Sequence, residues 1–179
     1  MRLGADGLAY PARQVPSPNC DERPAGAAVT LLVVHAISLP PRCYGGDAIE
    51  RFFTNRLEPD AHPYYREIAH LRVSSHFLVR RDGALVQFVP VHGRAWHAGA
   101  SRWRGRERCN DFSVGVELEG TEGAPFAPAQ YETLAALASA LRRALPLRDF
   151  AAHSDVAPGR KTDPGSGFDW SAFLARFAR

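Results

Sequence analysis

The sequence predicts an α/β protein: one domain in which a central mixed β-sheet is flanked by α-helices. Three observations lead there. Short apolar runs of strand character are interspersed with stretches of helical periodicity instead of being segregated by type. One strand pair is joined by a tight turn, which puts an antiparallel pairing into a sheet whose other connections are crossovers. The chain has 179 residues, enough for one full core and too few for two.

The elements follow in order. Residues 1–28 carry Pro11, Pro16, Pro18 and Pro24 and no apolar period. They are expected to form an extended N-terminal arm lying on the domain of residues 29–179. "VTLLVVH" (29–35) is a continuous apolar run, as a buried strand requires. It ends on a histidine and breaks at "SLPP". "GDAIERFFT" (46–54) reads as a short helix. "HFLVRRDGALVQFVP" (76–90) reads as a hairpin turning at Asp82-Gly83. "VHGRAWHAGASRWRGRERCN" (91–110) is a long loop, dense in arginine and holding two tryptophans. In "DFSVGVELEG" (111–120), Val114, Val116 and Leu118 face one way and Gly115, Glu117 and Glu119 the other. Tyr131, Leu134, Ala138, Leu141 and Leu145 share a helical face over 128–146, with Pro128 in the first turn. "DFAAH" (149–153) is a last short strand. Asp169 caps a final helix whose apolar face is Trp170, Phe173, Leu174 and Phe177.

Composition excludes several function classes. The formal charge of +3 is too weak to argue for nucleic acid. Cys20, Cys43 and Cys109 are odd in number and widely spaced, which suits reduced thiols better than a disulfide framework. No window approaches a membrane span, and the first residues hold no apolar run of signal-peptide length. The expectation is a cytoplasmic monomer with neither a nucleic-acid nor a membrane partner.

Chemistry is concentrated at a few positions. His35 ends one apolar strand and His153 another, and strand ends are where sheet proteins build sites. Asp163 lies ten residues after His153, across a Pro158-Gly159 turn that can fold the chain back. Two imidazoles and one carboxylate suit a catalytic zinc with an open position for water. His70, His76, His97 and Cys43 compete for that role on sequence alone. Glu117 is the candidate acid/base group, with Gly115 beside it leaving room for a substrate; Glu119 shares its face. Of the 22 basic residues only Lys161 is a lysine. It lies between His153 and Asp163, where a compact ammonium could meet a developing oxyanion. Arg72, Arg106 and Arg108 could hold carboxylates by bidentate pairs.

Taken together, "LLVVHAISLPP", "HPYYREIAHLRVSSHFLVRRDG", "RAWHAG", "GRERCNDFSVGVELEGT" and "HSDVAPGRKTDPG" resemble the zinc-dependent N-acetylmuramoyl-L-alanine amidases. This family includes phage lysozyme-like amidases and peptidoglycan recognition proteins. The likeness runs from about Pro16 to Trp170 and is strongest to the cell-wall recycling branch, which prefers 1,6-anhydromuramyl peptides. It implies one zinc per chain held by His35, His153 and Asp163, with Glu117 as catalytic glutamate and Lys161 steadying the oxyanion. It places Arg72 and Arg108 on stem-peptide carboxylates, including those of meso-diaminopimelate, and Trp96 and Tyr64 on the groove rim. Two positions depart from the family pattern. Ala36 stands where an asparagine that contacts substrate is usual, and Ser154 where a cysteine is usual. The rival within the same fold is a muropeptide-binding module without catalysis; the rival in substrate is a broad-specificity amidase of intact murein.

Overall fold

Six strands build the sheet of the computed structural model, which describes residues 1–178. In chain order they are β1 (Arg13–Gln14), β2 (Leu31–Ile37), β3 (Phe77–Val79), β4 (Leu85–Gln87), β5 (Ser113–Glu119) and β6 (Asp149–Ala152). They lie side by side as β6-β2-β5-β3-β4-β1. β2 is parallel to β5 and β6, β5 to β3, and β1 to β4; only β3 and β4 are antiparallel. That pair is the expected hairpin. Its turn closes with Arg80 N–H donating to Ala84 O at 2.9 Å and Gly83 at φ +86°, a value that glycine adopts without strain.

Both faces of the sheet are covered, which is why β2 reads as a continuous apolar run. The even-numbered residues of β2 and β5 (Leu32, Val34, Val114, Val116, Leu118) pack with Phe77 and Val79 against helix α3 (Pro128–Ala144) and helix α5 (Trp170–Phe177). The expected face of α3 is the buried one, through Tyr131, Leu134, Ala138 and Leu141. Asp169 caps α5 by accepting from Ala172 N–H at 2.9 Å. Leu174, expected on the apolar face of α5, is instead exposed; Phe173 is the fully buried anchor, with Trp170 and Phe177 partly buried beside it. Helices α1 (Ala48–Phe53) and α2 (Pro63–Ile68) cover part of the other face through Ile49, Phe52, Phe53 and Tyr65. The remainder of that face is Leu31 and Val33 with Cys109, Phe112 and Val156. His35 and Glu117 belong to this second face.

The N-terminal arm is sewn into the fold. Arg2–Leu3 pairs with Ala9–Tyr10, Arg13–Gln14 adds the edge strand, and Cys20–Glu22 pairs with Gly93–Ala95. Residues 91–110, expected as a long loop, are therefore half ordered by pairing: a second hairpin joins Arg102–Trp103 to Arg106–Glu107. Helix α2 is absent from the sequence reading. It is one and a half turns long, too short to show a period, and starts where His62 accepts from Tyr64 N–H at 3.1 Å. Among the described residues no helix is long and apolar enough to cross a membrane.

Candidate active site

Parallel pairing of β6 and β2 brings two histidines together at one end of the sheet. β2 continues two residues past His35 to Ile37, and the chain leaves the strand only then. β6 ends at Ala152, so His153 does not close the strand, as expected, but opens the one-turn helix α4 (His153–Val156). After α4 the chain turns back at Gly159, with the Arg160 and Lys161 N–H groups both donating to Ala157 O at 3.1 Å. Ser154 N–H then holds the Asp163 carbonyl at 3.0 Å, which delivers the Asp163 side chain to the histidines.

The three groups converge. His35 Nδ1 lies 2.9 Å from His153 Nδ1 and 3.3 Å from an Asp163 carboxylate oxygen, and His153 Nδ1 lies 3.1 Å from that carboxylate. Ligand atoms of one tetrahedral zinc, with bonds of about 2.0–2.1 Å, stand about 3.3 Å apart, so the set is of the right size. Both histidines are buried, 1% and 4% exposed, and two imidazoles with one carboxylate are a donor set that fits zinc. Burial, and next the neighbouring His153, lowers the pKa of His35 to about 4, which keeps it neutral and able to ligate. Burial pushes Asp163 up, but the hydrogen bond from His153 leads the influences that outweigh it and hold the carboxyl well below its ordinary range.

Glu117 stands directly opposite His35 in the β5–β2 register. It is buried, and its Oε2 has no hydrogen-bond partner among the described residues. Burial, then the Asp163 carboxylate, pushes its pKa well above the ordinary value, with Lys161 pulling the other way. Glu119, two residues on, differs completely. Its oxygens accept from Arg80 at 2.9 Å, from Gly45 N–H at 2.7 Å and from Arg81 N–H at 3.2 Å. The sequence reading treats the two glutamates as a pair on one face; the structure separates an unpartnered carboxyl from a fully bonded one.

A groove of about 740 Å³ opens over these groups. His35, Ala36, Tyr64, Trp96, Glu117, His153, Lys161 and Asp163 all line it. Trp96 is fixed by its indole N–H, which donates to Asp21 at 3.0 Å. Ala36 lies inside β2, opposite Leu118, and packs toward α3 while still edging the groove; the strand does not break before it, as expected from "SLPP". Arg72 and Arg108 are not in the lining. Arg72 folds its guanidinium onto the carbonyls of residues 69–71 at 3.2–3.3 Å, and Arg108 pairs with Asp111 at 3.3 Å. Arg106 lies over the Phe112 ring, 3.8 Å from its centroid. The sequence reading misses the apolar wall of the groove (Leu39, Phe52, Ile68, Leu71) because it comes from three separate segments with no shared period.

Of the competing histidines, His97 and His76 form a second layer. His97 Nδ1 lies 2.9 Å from His35 Nε2, and His97 Nε2 lies 3.1 Å from Ser113 Oγ. Burial, then the surrounding His35, His76 and His153, pushes His97 well below its ordinary pKa, so it is neutral. His76 Nδ1 accepts from Gly115 N–H at 3.0 Å. Gly115 makes room for protein and not for substrate: a Cβ there would sit 2.6 Å from the His97 ring. His70 and Cys43 are outside the groove lining.

Both the sequence and the fold have known relatives. The profile of the family described as N-acetylmuramoyl-L-alanine amidase matches residues 25–166. The Escherichia coli 1,6-anhydro-N-acetylmuramyl-L-alanine amidase AmpD is 56% identical over 164 residues, covering 90% of each chain. The Haemophilus influenzae AmpD is 45% identical, covering 94% of each. A crystal structure of a selenomethionine AmpD derivative superposes with a TM-score of 0.96 at 53% identity, covering 98% of this chain and 99% of that one. The Escherichia coli amidase AmiD, solved with anhydro-N-acetylmuramic acid-L-Ala-D-γ-Glu-L-Lys, aligns at 30% identity and TM-score 0.60, over 87% of this chain and 60% of that one.

Proposed function

The chain belongs to the N-acetylmuramoyl-L-alanine amidase family, and from that premise we propose how its groove works and on what. It is an amidase that hydrolyses the amide between (1,6-anhydro-)N-acetylmuramic acid and the L-alanine of the stem peptide, in peptidoglycan recycling. The observation that carries the reading is the convergence of two Nδ1 atoms and one carboxylate beside a buried carboxyl with a free oxygen.

His35, His153 and Asp163 would hold one zinc per chain. Zinc in such a site lowers the pKa of a bound water from about 15.7 to about 7 and polarises a carbonyl. Glu117 takes a proton from the attacking water and later hands one to the leaving alanine amine. Its raised pKa favours the protonated form needed for the second step, and the attraction of Lys161 favours the ionised form needed for the first. Lys161, exposed on the groove edge, presents its ammonium to the oxygen on which negative charge develops. Trp96 and Tyr64 line the rim where sugar and peptide would lie. Arg72 and Arg108 would reach the carboxylates of a stem peptide carrying meso-diaminopimelate by leaving their present contacts; both are exposed. Ala36 offers a methyl group where an asparagine would offer a donor and an acceptor. The chain would act as a monomer in the cytoplasm, a compartment that suits its three free cysteines. Neither nucleic acid nor membrane is a partner in this reading.

The test is a zinc titration of chelator-stripped protein. Activity on an anhydromuramyl tripeptide should return in proportion to zinc and saturate at one per chain. Asp163→Ala should neither hold zinc tightly nor hydrolyse. Full activity in a metal-free preparation would end the assignment.

A further inference from the structure

The two metal-site histidines are supported differently. His153 Nε2 is buried and has no partner among the described residues. His35 Nε2 instead begins a chain of contacts that ends on a backbone carbonyl. Ser113, fully buried, lies with its hydroxyl 2.6 Å from Cys109 O. A carbonyl can only accept, so the single Ser113 proton is committed there. The Ser113 oxygen, 3.1 Å from His97 Nε2, must then accept, which places the His97 proton on Nε2. His97 Nδ1 is left with its lone pair, 2.9 Å from His35 Nε2, and can only accept from it. His35 therefore carries its proton on Nε2, and its Nδ1 lone pair faces His153 and Asp163.

We propose that Ser113 and His97 form a positioning relay that locks His35 in its metal-binding tautomer before any metal arrives. The inference rests on the metal-site reading above. The relay is built into the fold. Asn110 Oδ1 accepts from the N–H groups of His97 and Ala98 at 3.2 and 2.8 Å, which fixes the segment carrying the ring. Gly115 supplies the space, since any side chain there would strike the His97 ring. A ligating histidine whose other nitrogen is held by a partner binds metal more tightly, and loss of that partner typically costs about 10–100-fold in affinity.

Two measurements test the proposal. The first needs no variant: long-range ¹H–¹⁵N spectra of the histidine rings in chelator-treated wild-type protein. His35 and His97 should both show a protonated Nε2 and a bare Nδ1 without zinc. A His35 ring protonated on Nδ1, or a mixture of tautomers, would overturn the relay. The second is zinc affinity by competition with a chromophoric chelator. His97→Leu keeps bulk but removes the acceptor and should weaken binding about 10–100-fold. His97→Asn places a carbonyl oxygen near the position of Nδ1 and should recover most of that loss. Equal affinities for the Leu and Asn variants would reduce His97 to packing. A fixed tautomer in a wild-type chain that binds no zinc would leave the relay standing and remove the metal reading instead.

Discussion

Glu117 and Glu119 lie two residues apart on one strand, and their surroundings assign them opposite tasks. Glu117 keeps a buried oxygen without a partner, whereas Glu119 spends its oxygens on Arg80 and two backbone N–H groups. Glu117→Gln should leave folding and zinc content intact and cut turnover by about 10²-fold or more. Glu119→Gln should keep the chemistry but lower stability by about 1–3 kcal/mol, because the half-buried Arg80 loses one of its two carboxylate partners and keeps only Glu50. Urea unfolding and turnover measured on both variants separate the two effects; the reverse pattern would misassign the strand. Lys161→Arg should also fail, losing about 10²-fold in turnover with KM little changed, since a planar guanidinium cannot replace one ammonium aimed at an oxyanion. Near-native turnover in that variant would make the lone lysine a coincidence. Part of this residue-level picture is legible in sequence, because histidines that follow apolar runs and a solitary lysine are local anomalies, although His35 lies two residues before the end of β2 and His153 opens α4. What was not legible is the partner each group meets. The alternation along β5 suggests Gly115 as space for a substrate, and it is space for His97, a residue 18 positions earlier whose approach no local pattern records.

At the scale of elements, the segment carrying Lys161 and Asp163 is clamped against residues 120–124. Gly167 N–H donates to Glu122 O at 2.8 Å, and Thr162 Oγ1 donates to Glu122 at 2.6 Å. The backbones approach so closely that a Cβ on Gly167 would sit 2.1 Å from Ala124 O. Gly167→Ala should therefore push the two segments apart, costing about 1–3 kcal/mol in stability and weakening zinc binding together with turnover. A variant with unchanged unfolding midpoint and zinc affinity would show that the clamp does not position the site. Elements with a period or a cap were readable in advance: β2, β5, the β3–β4 hairpin, α3 and the Asp169 cap of α5. Elements made by pairing at long range were not. The arm's edge strand and the Cys20–Glu22 partner of Gly93–Ala95 depend on segments some 70 residues away, and short strands without alternation carry no signal of their own. α2 was missed for the same reason of length.

Across the whole molecule, one face of the sheet gathers His35, His76, His97 and Glu117 close together, and that layer makes the fold sensitive to acid. His76 is fully buried, with its pKa lowered by burial and then by Arg23 to about 3, against 6.5 in the unfolded chain. Between those values the unfolded chain binds a proton that the folded chain refuses. The stabilisation from a neutral His76 is thus complete above pH 6.5 and declines as pH falls toward 3, by up to about 1.4 kcal/mol per pH unit. Glu117, whose pKa is raised, works the other way, but His35, His76 and His97 are all lowered and outnumber it; thermal unfolding of chelator-treated protein should show a midpoint that falls below pH 6.5, and a midpoint unchanged down to pH 5 would contradict the buried-histidine account. In the proposed mechanism the same layer carries the amidase chemistry. The most direct measurement of that claim is mass spectrometry of the products from 1,6-anhydromuramyl-L-Ala-γ-D-Glu-meso-diaminopimelate, incubated with the zinc-loaded chain and with its Glu117→Gln variant. The account predicts free anhydromuramic acid and intact tripeptide from the first and almost none from the second. Cleavage at a peptide bond within the stem, or equal product from both proteins, would contradict it.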